Sequence, residues 1–256
     1  MNTHMTDYRK AHRMALLSLD AYLEPDAFEK RYGNQFKFFS SGSTQCYVLQ
    51  SNAYTSPNSL LVPQNEIIIS FRGTEATQFS DIKTDLDFMQ TYESGWGMVH
   101  EGFQKGLDAV FDELMAHVSA SLTTQKLIFT GHSLGAGLAT LCMARMGDVE
   151  SELYTFGSPR VGGKGFSEAF KHQLPNCYRF RNHNDLVTRI PKLRYYHVGT
   201  MYYFDESGVL KVNPSWWYRF KEFCSGMLGG FIGFEVDSLR DHSISNYVRR
   251  LAPYAK

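Results

Sequence analysis

Gly131-His132-Ser133-Leu134-Gly135 is the stretch of this chain whose residue types and spacing suggest a reaction by themselves. A serine flanked two positions away on each side by glycine is what a sharp turn from a strand into a helix requires. The small neighbours let the chain segments pass closely, and the serine is displayed at the start of a helix, where negative charge is stabilised. That layout suits nucleophilic attack on an acyl carbon. By composition alone the pattern would arise in roughly one chain in ten of this length. Its context sharpens it: Leu127 to Thr130 reads as a buried strand, and Leu134 to about Met146 as good helix-forming sequence. The bland alternative is a tight-packing turn.

A serine hydroxyl needs a base, and the base needs a carboxylate to orient it. Where the nucleophile sits on such a turn, the chain order is serine, acid, histidine. Two histidines come late enough. His197 lies among aromatic and apolar residues in RYYHVGT and reads as a satisfied strand histidine. His242, in Leu239-Arg240-Asp241-His242-Ser243, precedes a helical segment and can be presented from a loop. His242 is therefore the expected base. For the acid, Asp185 follows the strand Cys177–Arg181 by a few residues, which places it at a strand's carboxyl end. Asp205 belongs to a turn, and Asp237 and Asp241 are too near His242 in sequence to face its far nitrogen easily. The bland reading of Asp185 is a helix or turn cap.

The elements that must position these groups follow from periodicity. Helices are expected over residues 4–23, 101–121, 134–146, 164–173 and 243–251. Strands are expected at 45–50, 66–71, 127–130, 152–156 and 177–181, with a long one over 194–204 closed by the turn at Asp205–Gly208. Alternating strands and helices through the middle predict an α/β fold around a mostly parallel sheet, with chemistry at the carboxyl ends of its strands. With 256 residues, no repeat and no long linker, one domain is expected over 1–256.

Composition narrows the partners. Equal numbers of basic and acidic residues, 26 each, leave no global field to recruit nucleic acid. Cys46, Cys142, Cys177 and Cys224 are far apart and form no Cys-x-x-Cys pair, which argues against a disulfide framework or a zinc site. The first 25 residues are broken by charges and lack the apolar core of a signal peptide, so a cytoplasmic location is expected; a processed chain would read the same. No apolar run reaches the roughly 18 residues of a membrane span.

Several separated stretches then point to a family. Phe71-Arg72-Gly73-Thr74, Val99-His100-Glu101-Gly102-Phe103, Gly131 to Ala136, Phe156-Gly157-Ser158-Pro159-Arg160-Val161-Gly162, Asn184-Asp185-Leu186-Val187 and Asp241-His242 occur in the order found in class 3 (fungal-type) lipases. The chain resembles that family from about residue 60 to 245. The resemblance implies the α/β-hydrolase fold, a central sheet flanked by helices with a lid over the cleft. It also implies an oxyanion hole from the backbone N–H groups of Thr74 and Leu134; the bland reading of Arg72-Gly73-Thr74 is a strand-ending turn. The lid would fall at about 79–96, where Phe79, Ile82, Leu86 and Met89 recur at helical spacing. Pattern alone is equally consistent with a surface helix. The implied activity is that of a carboxyl-ester hydrolase, a triacylglycerol lipase first. A phospholipase A1 or galactolipid acyl hydrolase is the near alternative, and an acyltransferase or a non-catalytic binding module the remoter ones. Disulfides and a signal peptide, usual in secreted fungal relatives, are not evident, so substrate preference is not carried over.

The chemistry so described calls for no metal and no organic cofactor, only an ester or lipid substrate, with transient contact at a lipid interface and no nucleic acid. Three features invite over-reading. Ser158–Gly165 has glycines and Lys164 but lacks the first glycine and the Ser/Thr of a phosphate loop, and His100-Glu101 lacks the second histidine of a zinc protease. The aromatic, glycine-rich run Trp216–Phe234 is either packing or contact with acyl chains and a membrane interface.

Overall fold

The computed structural model describes residues 7–34, 36–50, 65–73, 89–122, 124–147, 149–220 and 240–256. Helices α1 (Tyr8–Asp20) and α2 (Pro25–Tyr32) lead into strands β1 (Phe36–Ser41), β2 (Thr44–Gln50) and β3 (Glu66–Phe71). A hairpin follows, β4 (Gln90–Glu93) and β5 (Gly97–His100), then α3 (Glu101–Ser121), β6 (Lys126–His132) and α4 (Leu134–Arg145). The chain continues through β7 (Ser151–Phe156), α5 (Lys164–Gln173), β8 (Cys177–Asn182), β9 (Thr200–Phe204), β10 (Leu210–Val212) and α6 (Ile244–Leu251).

Among the described residues, eight strands form one sheet in the order β1-β2-β3-β6-β7-β8-β9-β10. From β3 to β9 neighbours run parallel, and β1, β2 and β10 are added antiparallel at the edges. Parallel strands are covered on both faces, and alternation assigns side chains to each. Ile67, Ile69 and Phe71 of β3 and Leu127 and Phe129 of β6 join the core under α3, α4 and α5. Ile68, Ile128, Tyr154, Phe156, Tyr178 and Phe180 join the opposite core under α1 and α6.

Helix α1 is bound to the sheet by more than apolar contact. Lys10 pairs with Glu66 at 2.6 Å and Glu152 at 2.7 Å, and Arg13 with Glu66 at 2.8 Å. Near its other end, Ser18 Oγ lies 2.9 Å from Thr130 Oγ1, and Ser70 Oγ donates to the Leu17 carbonyl at 3.1 Å. The helix is thus aligned across β3, β6 and β7, with its C-terminus toward the strand ends that carry chemistry. Phe28 of α2 stacks on Tyr47 with centroids 3.8 Å apart and extends this core under β2.

Four expectations need revision. Helix α1 spans Tyr8–Asp20 rather than 4–23. Strand β1 and helix α2 were not foreseen: FKFFSS has no clean alternation, and its face is defined only by pairing with β2. The long strand over 194–204 is only Thr200–Phe204, because Arg194 (φ 63°) and Gly199 (φ 75°) adopt left-handed backbone that a strand excludes. His197 accordingly sits in a loop. Residues Gln90–Glu93, inside the expected lid segment, form a strand paired with Gly97–His100; positions 79–88 lie outside the described residues. Cys46, Cys142 and Cys177 are buried free thiols.

The Phe28 ring is fully buried, so Phe28→Ala should cost about 3–5 kcal/mol and lower Tm by roughly 10 °C. Calorimetry measures this directly; a loss under about 1 kcal/mol would show that α2 contributes little to the core.

Candidate active site

The turn between β6 and α4 places Ser133 at the N-cap of α4 with φ 56° and ψ −127°. Such backbone costs roughly 1–3 kcal/mol in a non-glycine residue and persists only when its surroundings enforce it. The enforcement is visible. A Cβ on Gly131 would lie 2.5 Å from the Gly135 carbonyl carbon, and one on Gly135 would lie 2.4 Å from the Phe71 carbonyl oxygen. Strand β6, helix α4 and the end of β3 therefore touch backbone to backbone, and the Ser133 N–H is held by the Phe156 carbonyl at 3.0 Å. As the first residue of α4, Leu134 has no intrahelical acceptor for its N–H.

The structure brings Ser133, His242 and Asp185 into one hydrogen-bonded line. Ser133 Oγ is 2.9 Å from His242 Nε2, and His242 Nδ1 is 3.0 Å and 3.1 Å from the two Asp185 carboxylate oxygens. A carboxylate only accepts, so Nδ1 carries the proton and Nε2 is the acceptor for the serine hydroxyl. All three side chains are fully buried. Burial alone would raise the Asp185 carboxyl, but electrostatic attraction to His242 and its hydrogen bond, with the Tyr247 hydroxyl, outweigh it and hold the group below its ordinary value. The line can pass the serine proton to His242 while the carboxylate stabilises the resulting imidazolium.

The surroundings of this line were not all legible in advance. Tyr247 donates to Asp185 Oδ2 at 2.6 Å and accepts from the Asn182 N–H at 3.0 Å. Burial and the adjacent carboxylate push its phenol well up, so it stays a donor. Val187 N–H fills the other Asp185 oxygen at 3.0 Å. His132 reaches the His242 carbonyl through Nε2 at 2.6 Å, and Tyr22 lies 2.8 Å from His132 Nδ1. The carbonyl must accept, so His132 carries its proton on Nε2 and Tyr22 donates to Nδ1. Tyr22 closes α1's approach to the site, while His132 is the variable position of the Gly-x-Ser-x-Gly pattern. Only the latter had a sequence signal, and nothing in the sequence separated it from a passive neighbour.

The rejected candidates have structural roles. Asp241 accepts from the Asn184 N–H at 2.9 Å, and its carbonyl takes Asn182 Nδ2 at 2.8 Å, so it ties the segment carrying His242 to the one carrying Asp185. Asp205 caps its turn through Ser207 and the Val209 N–H. His197 Nε2 is satisfied by the Thr188 carbonyl at 2.7 Å. Thr74, the other expected oxyanion donor, and Asp237 lie outside the described residues.

Comparison with known proteins places this geometry. The family described as lipase (class 3) matches residues 68–195. A secreted mono- and diacylglycerol lipase 1 of Fusarium solani is 35% identical over 190 residues, covering 68% of this chain and 55% of that one. A phospholipase A1-II 1 of Oryza sativa subsp. indica is 34% identical over 152 residues, 52% of this chain and 36% of its own length. This chain thus spans about half or less of those relatives. Among solved structures, the lipase from Rhizopus microsporus var. chinensis superposes with a TM-score of 0.66 at 24% identity, over 79% of this chain and 76% of that one. The shared fold is that of the α/β-hydrolases.

Burial, with the neighbouring His242 adding to it, pushes His132 down to about 3. The unfolded chain takes up this proton near the ordinary value of 6.5 and the folded one does not. The contribution of His132 to stability is therefore full above that pH and is lost on acidification, by about 1.4 kcal/mol per pH unit. Urea unfolding between pH 7 and 4 should show a slope smaller by about one proton in His132→Asn; an unchanged slope would mean that the imidazole is charged in the fold. Tyr247→Phe should lower kcat by about tenfold and leave KM nearly unchanged, since it loosens only the orientation of the base. Steady-state kinetics on a soluble ester checks this, and an unaltered kcat would remove Tyr247 from the positioning network.

Proposed function

Because the chain belongs to the class 3 lipase family, we propose that it is a serine carboxyl-ester hydrolase working through an acyl-enzyme. The observation that carries this reading is the Ser133–His242–Asp185 line, with bonds of 2.9 Å and 3.0 Å, set on a left-handed turn at a helix N-terminus. His242 takes the proton as Ser133 Oγ attacks the ester carbonyl. The N–H groups of Leu134 and Thr74 receive the oxyanion. His242 then protonates the leaving alcohol, and water, activated by the same base, releases the acid.

The substrate in this proposal is an acylglycerol. The similarity to a mono- and diacylglycerol lipase supports it, and the similarity to a phospholipase A1 at nearly equal identity favours phospholipid as the second reading. Two further features bear on delivery. The triad side chains are closed off from solvent in this conformation, so an ester reaches Ser133 only after part of the cover moves. Trp216, Trp217 and Phe220 are 58%, 66% and 43% exposed; Trp216 stacks on Phe220, and Trp217 meets both edge to face. Exposed aromatics grouped in this way suit transient contact with a lipid interface.

Hydrolysis of short- and long-chain p-nitrophenyl esters, triglyceride emulsion and phospholipid vesicles, compared between wild type and Ser133→Ala, tests the reading. Turnover on at least one ester should fall by about 10⁴-fold or more in the variant. Retention of a tenth of the wild-type rate would exclude Ser133 as nucleophile. Preference for vesicles over emulsion would select the phospholipase reading.

A further inference from the structure

Beside the triad, one face of β8 gathers guanidinium groups. Tyr178 and Phe180 turn into the core under α1 and α6, so Arg179 and Arg181 share the opposite face. Both are about nine-tenths buried, at 8% and 7% exposure. Arg179 Nε donates to the Val198 carbonyl at 3.3 Å, and the Arg181 guanidinium stands 5.7 Å from the centre of the Tyr203 ring. Arg160 comes from the loop after β7 and donates through Nη1 to the carbonyls of Arg189 at 2.6 Å and Pro191 at 2.7 Å. Arg219, half-buried in the segment after β10, is close enough to act electrostatically on Arg179 and Arg181.

These groups sense one another. Burial first, then Arg181, Arg219 and Arg160, hold Arg179 down to about 9. Burial and Arg181 lower Arg160, and burial with Arg219 lowers Arg181 against the opposing pull of Tyr203 and Asp185. His197 is pushed well below its ordinary value by burial, Arg179 and Arg160, and so remains neutral, with its Nε2–H given to Thr188.

Among the described residues, none of Arg160, Arg179, Arg181 and Arg219 makes an ion pair with a carboxylate. The nearby Asp185 has its oxygens engaged by His242, Tyr247 and Val187. The Nε atoms of Arg181 and Arg219 are buried without a hydrogen-bond partner. Like charges gathered out of water without a counter-charge are costly, and buried charges are as a rule paired. Guanidinium forks are suited to the divergent oxygens of an oxyanion.

We propose that Arg160, Arg179, Arg181 and Arg219 together bind one oxyanion of the phosphate class, at a site separate from the ester-cleaving triad. A planar carboxylate presents two oxygens, too few for four guanidiniums; a tetrahedral oxyanion presents four and carries up to two of the missing negative charges. A cavity of about 610 Å³ adjoins the cluster. Lys171, His172, His197, Val198 and Thr200 are among its lining, none of the described lining residues is acidic, and Val198 is the residue that accepts from Arg179. The anion enters as free phosphate or as a phosphate ester on a small molecule.

The test uses the full chain in phosphate-free buffer, with ionic strength held constant by sodium chloride. Thermal unfolding is followed against added inorganic phosphate and, separately, glycerol 3-phosphate. The expected result is a saturating rise in Tm, roughly 5–10 °C at about one hundred times Kd. The rise should vanish in Arg181→Met and need at least about tenfold more phosphate in Arg219→Gln. The second variant alters a half-buried position and keeps the test decisive should Arg181→Met not fold. Equal potency of the two probes would identify the free anion, and a stronger effect of glycerol 3-phosphate an esterified one. A flat response to both probes, or the same rise in both variants, would overturn the proposal and assign neutralisation to carboxylates of the chain itself.

Discussion

Three backbone segments meet at the Ser133 turn with no room for a side chain between them. The end of β3, the end of β6 and the first turn of α4 approach so closely that a single Cβ at Gly131 or Gly135 would overlap main-chain atoms. This contact fixes the angle between β6 and α4 and holds Ser133 at a positive φ that an isolated chain would leave. The parallel neighbours set the rest of the frame. β7 supplies the carbonyl that anchors the Ser133 N–H, and β8, next in order, ends where Asp185 is needed. The strain at one residue is offset by a core built on both faces of the sheet, and the display of the serine depends on that core.

A second requirement follows from burial. The polar groups of the triad are out of water, so each needs partners, and an incompletely satisfied cluster would destabilise the fold more than an apolar one. The chain meets this by layering. Tyr247 and the Val187 N–H complete Asp185, His132 and Tyr22 hold the His242 backbone, and Asp241 joins the two segments through Asn182 and Asn184. Orientation of the base is thus shared between the turn after α1, β6 and α6, three regions far apart in sequence. Loss of any one contact should loosen the site without dismantling it.

What the sequence made legible follows the same division. The Ser133 turn, and Asp185 just past β8, are local patterns: glycine spacing, a β-branched or apolar run, a strand end. His242 was preferred over His197 for a similar reason, and the structure indeed has His197 engaged with a loop carbonyl. Tyr22, Tyr247 and the buried role of Asp241 have no such local mark, since their meaning arises only when α1 and α6 lie side by side under the sheet. Strand β1 was missed because its pairing with β2, rather than its own pattern, gives it a face. The segment 194–199 reads as strand because aromatic and β-branched residues dominate it, whereas the left-handed Arg194 and Gly199 break it. The first strand of the hairpin, Gln90–Glu93, falls in a stretch whose pattern suggests an amphipathic helix, because Met89 continues a helical spacing that the described chain does not follow.

The docking of α6 against α1 has a consequence for biogenesis. The nucleophile, the acid and the base leave the ribosome in that order, and the base becomes usable only when the helix after it has packed beside a helix made more than two hundred residues earlier. Until then the half-built sheet carries an exposed serine with nothing to activate it. The hydrogen-bonded line from Ser133 to Asp185 is therefore completed as a single late event rather than growing with chain length.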